Sequence, residues 1–260
     1  MRISFSKSVT ESLLAKIRSG EMMSRNEKFN LIIQLSIPSI LAQVTTVLMF
    51  YIDAGMVGSL GAEPSAAIGL VEPATWLFFS LVSAVTMGFS VQVAHFIGAN
   101  DFAKARAVMR HGYIFGLCFA LFLLLITFLI GYRLPVWLGG GADIQHDATV
   151  YFLIFSLIIP FHLIEYMSAA MLKVSGDMRR PSFMAILMCV LDVIFNYFFI
   201  FPTRTVSLLG VEMTMPGLGE GVAGAALGSL LSFVCVALPL AYYAIFRSPI
   251  LAWKQDVERF

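Results

Sequence analysis

Residues 112–132 read GYIFGLCFALFLLLITFLIGY, twenty-one residues without one charge. At 1.5 Å per helical residue such a run spans about 31 Å, the thickness of the hydrocarbon layer of a bilayer. Nothing in a water-soluble fold asks for a segment of that kind. The sequence on either side repeats the pattern. Apolar stretches at 31–53, 68–97, 148–172, 181–201 and 221–246 are each long enough to cross, and 221–246 is again free of charge. The spacing therefore predicts six transmembrane helices in an all-α bundle over 30–246, behind a leader at 1–29 and ahead of a tail at 247–260.

Composition agrees with this reading. Of 260 residues 59% are apolar and only 13% are charged, against roughly 25% charged in a soluble domain. Seventeen basic and sixteen acidic residues leave a net charge of +1 and no basic field for nucleic acid. Cys118, Cys189 and Cys235 all lie within apolar stretches, so they do not frame a disulfide scaffold. The leader is polar and of mixed charge, unlike a cleavable signal. Residues 6–18 read either as a short surface helix with Leu13, Leu14 and Ile17 on one side or as a loose leader. Fifteen of the seventeen basic residues fall in the leader, the 2–3 and 4–5 connections and the tail, leaving only Arg133 and Arg204 for the opposite side. The excess of Lys and Arg on the cytoplasmic side places both termini there. The Gly- and Pro-containing connection 202–220 then lies at the outer surface.

Ionisable groups are costly in hydrocarbon, about 2.5–3.5 kcal/mol on insertion scales, and tend to line cavities or find partners. Four carboxylates stand out: Asp53, Glu72, Glu165 and Asp192. At 1.5 Å per residue, Asp192, Asn196, Ser229 and Asp53 rise about 18, 24, 27 and 37 Å above the nearest cytoplasmic charge. They share the outer half of the bilayer. Asp192 and Asn196, four apart, occupy one helix face. Two carboxylates with an amide and a hydroxyl can hold Na⁺ through hard oxygen ligands or bind a proton. At its height Asp53 can equally face outer water. His162 and Glu165, three apart, can pair as a proton relay or make a structural contact with a neighbouring helix. Glu72, just before Pro73, reads as a solvated cap, and His95 as interfacial. Pro38 removes a backbone hydrogen bond from the first span and marks a hinge below Asp53. Gly224 and Gly228, with Gly221, Ala225 and Ser229, permit close approach of another helix. No span carries a metal-spaced cluster, so neither a structural metal nor a membrane-embedded enzyme is expected.

Five segments in order, LSIPSILAQVTTVLMFYIDAGMVGSLG (35–61), VQVAHFIGANDFAKARAVMRHG (91–112), MLKVSGDMRRPS (171–182), LDVIFNYFFIF (191–201) and GVAGAALGSLLS (221–232), resemble the N-terminal half of the multidrug and toxic compound extrusion (MATE) transporters. The resemblance implies one six-helix lobe of a twelve-helix exporter in a bacterial inner membrane. Such exporters move organic cations or other amphiphiles outward against inward H⁺ or Na⁺, without a cofactor. It implies a cation or proton site at Asp53, Asp192, Asn196 and Ser229. Here the acid and amide of the fifth span stand in exchanged order, and the glutamine usual near the end of the second span is His95. Alternating access needs two bundles, so a second lobe or a homodimer partner is expected. Two alternatives stay open: a lipid-linked precursor flippase, which the lack of Lys or Arg within the spans disfavours, and a non-transporting module acting through helix–helix assembly.

Overall fold

The computed structural model describes residues 12–13, 15–17, 19–208 and 211–253. Its helices are α1 (Arg25–Gly58), α2 (Ala62–Gly98), α3 (Phe102–Gly131), α4 (Leu134–Trp137), α5 (Gln145–Ser156), α6 (Ile158–Val174), α7 (Arg179–Ile200) and α8 (Gly221–Tyr242). A π-helical turn, Tyr243–Arg247, follows α8. Strands β1 (Pro202–Leu208) and β2 (Val211–Leu218) join α7 to α8 as an antiparallel hairpin. Five helices are individually long and apolar enough to cross a membrane, and α5 with α6 forms a sixth span bent by 40°. This is a multi-pass membrane bundle.

Local chemistry sets the helix ends. Ser24 caps α1 with a capping box: its hydroxyl accepts from the Glu27 amide, and the Glu27 carboxylate accepts from the Ser24 amide at 2.9 Å. Asp101 caps α3 by accepting from the Lys104 amide at 3.2 Å. The α5–α6 break falls at Leu157. Pro160, which has no amide hydrogen, then sits in the first turn of α6, where a missing donor costs nothing. α1, by contrast, continues unbroken through Pro38.

The helices alternate in direction, so both ends of the described chain meet at one end of the bundle and the β-hairpin lies at the other. Towards the hairpin end the core packs Ala67 and Val71 on α2 against Leu123 on α3, Phe152 on α5 and Leu163 on α6. Towards the terminal end, Val93, Met109, Met167 and Met171 enclose Leu251, which is fully buried. The start of the tail thus folds back onto the bundle, and the Arg106 guanidinium donates to the Ile250 carbonyl at 3.1 Å. In the leader, Leu13 is buried while Ile17 is 55% exposed, so those two do not share one apolar face. Leu14 lies outside the described residues. The connection 202–220, read from sequence only as an outer loop, contains the β-hairpin.

Candidate cation site

α7 and α8 pack backbone to backbone because two glycines let them. A Cβ on Gly224 would fall 2.5 Å from the Phe199 carbonyl oxygen, and one on Gly228 would fall 2.8 Å from the Asn196 amide nitrogen. Small residues at an i, i+4 step create this approach in apolar surroundings. It brings the polar face of α7, Asp192 and Asn196, onto that of α8, Ser229 and Ser232. All four are buried, with Asp192 and Ser232 fully so.

Asp53 reaches the same place from α1. Asn196 Nδ2 donates at 2.9 Å to Asp53 Oδ1 and at 2.9 Å to Asp192 Oδ2, so one amide ties the two carboxylates together. The Asn196 bridge holds the two carboxyl groups side by side, and Ser229 is buried on α8 three residues before Ser232. The Ser232 hydroxyl is 3.2 Å from Asp192 Oδ1 and 2.8 Å from the Ser229 carbonyl oxygen. Its single proton serves one of them at a time. Asn196 Oδ1 is buried and has no hydrogen-bond partner among the described residues. The cluster therefore offers four carboxylate oxygens, two hydroxyls and an unused amide oxygen. It can accept a proton between the carboxyls, or surround a hard monovalent cation with oxygen.

The structure brings Asp53, Asp192, Asn196 and Ser229 together, and adds Ser232. Ser232 was visible in principle, since it lies three residues after Ser229 on the same helix face. Tyr151 on α5 packs nearby against the Val57, Ile200 and Ala225 cluster, a convergence of helices that no local pattern announces. His162 and Glu165 are not part of this cluster, nor are they paired. Both ring nitrogens of His162 are buried without a hydrogen-bond partner among the described residues. The imidazole instead stacks on Phe79 at 4.4 Å and meets Phe233 edge-on at 5.8 Å. Pro38 lies about 22 Å along α1 from Asp53, remote from the cluster. A cavity of about 480 Å³ opens at the hairpin end, lined among others by His146, Asp147 and Glu220.

Known proteins resemble this chain along most of its length. The model of the MatE family matches residues 38–198. A probable multidrug resistance protein NorM of Neisseria meningitidis is 24% identical over 215 residues, 82% of this chain and 44% of the relative. The multidrug export protein MepA of Staphylococcus saprophyticus is 21% identical over 236 residues, covering 90% of this chain and 49% of that one. Among solved structures, a MATE protein in complex with MaL6 superposes with a TM-score of 0.79 at 23% identity, over 95% of this chain and 49% of the other. The chain spans about half the length of the curated relatives it matches.

Proposed function

The chain belongs to the MatE family, whose members are transporters and not enzymes, and from that premise we propose that it supplies the N-terminal lobe of a secondary antiporter. The antiporter exports organic cations or other drug-like amphiphiles against inward H⁺ or Na⁺. Asp53, Asp192, Asn196 and Ser229, with Ser232 beside them, bind the coupling cation. Both termini face the cytoplasm of the bacterial inner membrane, which puts the hairpin end and the cation site in the outer half of the bilayer. A second six-helix bundle, a further lobe or another copy, completes the transport pathway.

One observation carries the reading: a single buried amide bridges two carboxylates from different helices, in spans with no Lys or Arg to neutralise them. A cation or proton arriving there replaces the missing positive charge and changes how α1 is held against α7. An equilibrium moves only as far as its ligand prefers one state, so occupancy must tie α1 down more firmly in one state than in the other.

The test needs no second lobe. Thermal unfolding of the chain in lipid nanodiscs is followed while Na⁺ is titrated at fixed pH, and then while pH is varied without Na⁺. Binding to the folded state alone adds about 2.7 kcal/mol at a hundred times Kd. The Asp53→Asn/Asp192→Asn variant should lose the response to whichever cation produces it. An undiminished response in that variant would refute the assignment. Native mass spectrometry of the same preparation decides whether transport assays on the chain alone are meaningful: a stable dimer justifies them, and a monomer calls for the second bundle.

A further inference from the structure

Outside the cation site, α1 and α2 barely touch, and where they do, aromatic rings meet beside a carboxylate. Phe50 on α1 and Trp76 on α2 approach with ring centroids 5.1 Å apart and planes at 48°. Both remain open, Phe50 by 42% and Trp76 by 47%. The Trp76 indole Nε1 donates to Glu72 Oε1 at 3.3 Å, which fixes the carboxylate one helical turn from the ring it sits beside. Glu72 is exposed on the same face of α2. It lies about 15 Å along α2 from Ala62, near the hydrocarbon boundary at the hairpin end.

No Lys or Arg occurs anywhere between Lys28 and Lys104, so neither helix brings a cation to this carboxylate. An exposed carboxylate bonded to an indole that itself meets a second exposed ring matches one kind of ligand, a lipophilic organic monocation. The charge meets the carboxylate while apolar groups lie on the indole and phenyl rings, an attraction worth most where water is thin.

We propose that Glu72, Trp76 and Phe50 form the lobe's recognition site for an organic monocation, distinct from the Asp53–Asp192 site. The assignment rests on the efflux reading above and names the residues that would hold its cargo. Glu72 supplies the charge selectivity, and Trp76 supplies the planar surface while holding Glu72 in place.

The experiment is equilibrium dialysis of tetraphenylphosphonium against the full chain in zwitterionic nanodiscs, with tetraphenylborate as an anion of the same shape. Wild-type protein should bind the cation at least tenfold more tightly than the anion. Glu72→Gln should weaken cation binding about tenfold and remove the preference, whereas Glu72→Asp should keep most of it. Trp76→Leu should weaken both probes. Unchanged cation affinity in Glu72→Gln, equal affinity for the two probes, or no binding by wild-type protein would each overturn the proposal. Asp53→Asn separates this site from the other one. It should retain tetraphenylphosphonium while losing the cation-dependent thermal shift. Loss of the probe in Asp53→Asn, with Glu72→Gln unaffected, would transfer recognition to the cation site and overturn the assignment to Glu72.

Discussion

α8 and α1 are both apolar spans, yet α8 has 56% of its most apolar window buried in the bundle and α1 only 11%. α8 is threaded between α5, α6 and α7, with glycines and serines on its contact face. α1 leans chiefly on α7 and presents Ile40, Val44, Leu48 and Tyr51 outward. The proposed cation site straddles the two regimes. Asp192, Asn196, Ser229 and Ser232 belong to the well-packed α7–α8 wall, and Asp53 rides on the loosely held helix. The Asn196–Asp192 bond lies within the wall, while the Asn196–Asp53 bond crosses from the wall to α1. Under the proposed function, occupancy acts across the Asn196–Asp53 bond, the one that joins α1 to the wall.

The sharpest way to break the contrast is to overpack the wall. Gly224→Ala places a methyl against the Phe199 carbonyl and the Ile200 amide nitrogen at 2.5–2.8 Å, and backbone cannot swing aside as a side chain can. A loss of about 3 kcal/mol is expected, the upper part of the overpacking range. Val44→Ala on α1, with Val44 51% exposed, should stay within about 0.5 kcal/mol. Thermal melts in nanodiscs measure both. Comparable losses would mean that α1 is not the loose element.

Removing the two carboxylates separately comes next in size. Asp192→Ala strips partners from the Asn196 amide and the Ser232 hydroxyl in a fully buried position, and should cost about 2 kcal/mol. Asp53→Ala removes one acceptor from a half-buried residue and should cost less than about 1 kcal/mol. Yet both variants should abolish the cation-dependent thermal shift. Equal stability costs would place Asp53 inside the wall after all.

Much of this was legible beforehand because hydrophobic length and polar spacing are local properties. Six spans follow from six apolar runs, and Asp192 with Asn196 from a four-residue step in one of them. The misses have physical causes of their own. β1 and β2 hid in a connection whose Gly and Pro content suggested only a loop, although Thr and Val recur through it. His162 and Glu165 had the spacing to pair, but Phe79, eighty-odd residues earlier, takes the imidazole face. Long-range packing of that kind leaves no trace in spacing.

Pro38 tests α1 more gently. Pro38→Ala restores an amide hydrogen that can bond to the Gln34 carbonyl and stiffens α1 below the site. Stability should change by less than about 1 kcal/mol, while the cation-dependent change in distance between spin labels on α1 and α8 should shrink. An undiminished distance change would free Pro38 of any hinge role.

The smallest effect lies outside the membrane, at the start of α3. The Lys104 ammonium, 2.8 Å from Asp101, holds the Asp101 carboxyl below its usual range, helped by the Lys104 backbone amide. A carboxyl whose folded value is lowered contributes stability that is complete above its unfolded value and is lost as pH falls through the folded one. The melting temperature should therefore decline slightly on acidification below the normal Asp range. Asp101→Asn keeps a good helix cap but removes the charge, so it should melt much like wild type at neutral pH and lose only this acid-side slope. If Asp101→Asn instead lowered the neutral melting point as far as Asp192→Ala does, the capping turn would belong with the buried wall. The division between a rigid α7–α8 pair and loosely held elements around it would then have to be redrawn.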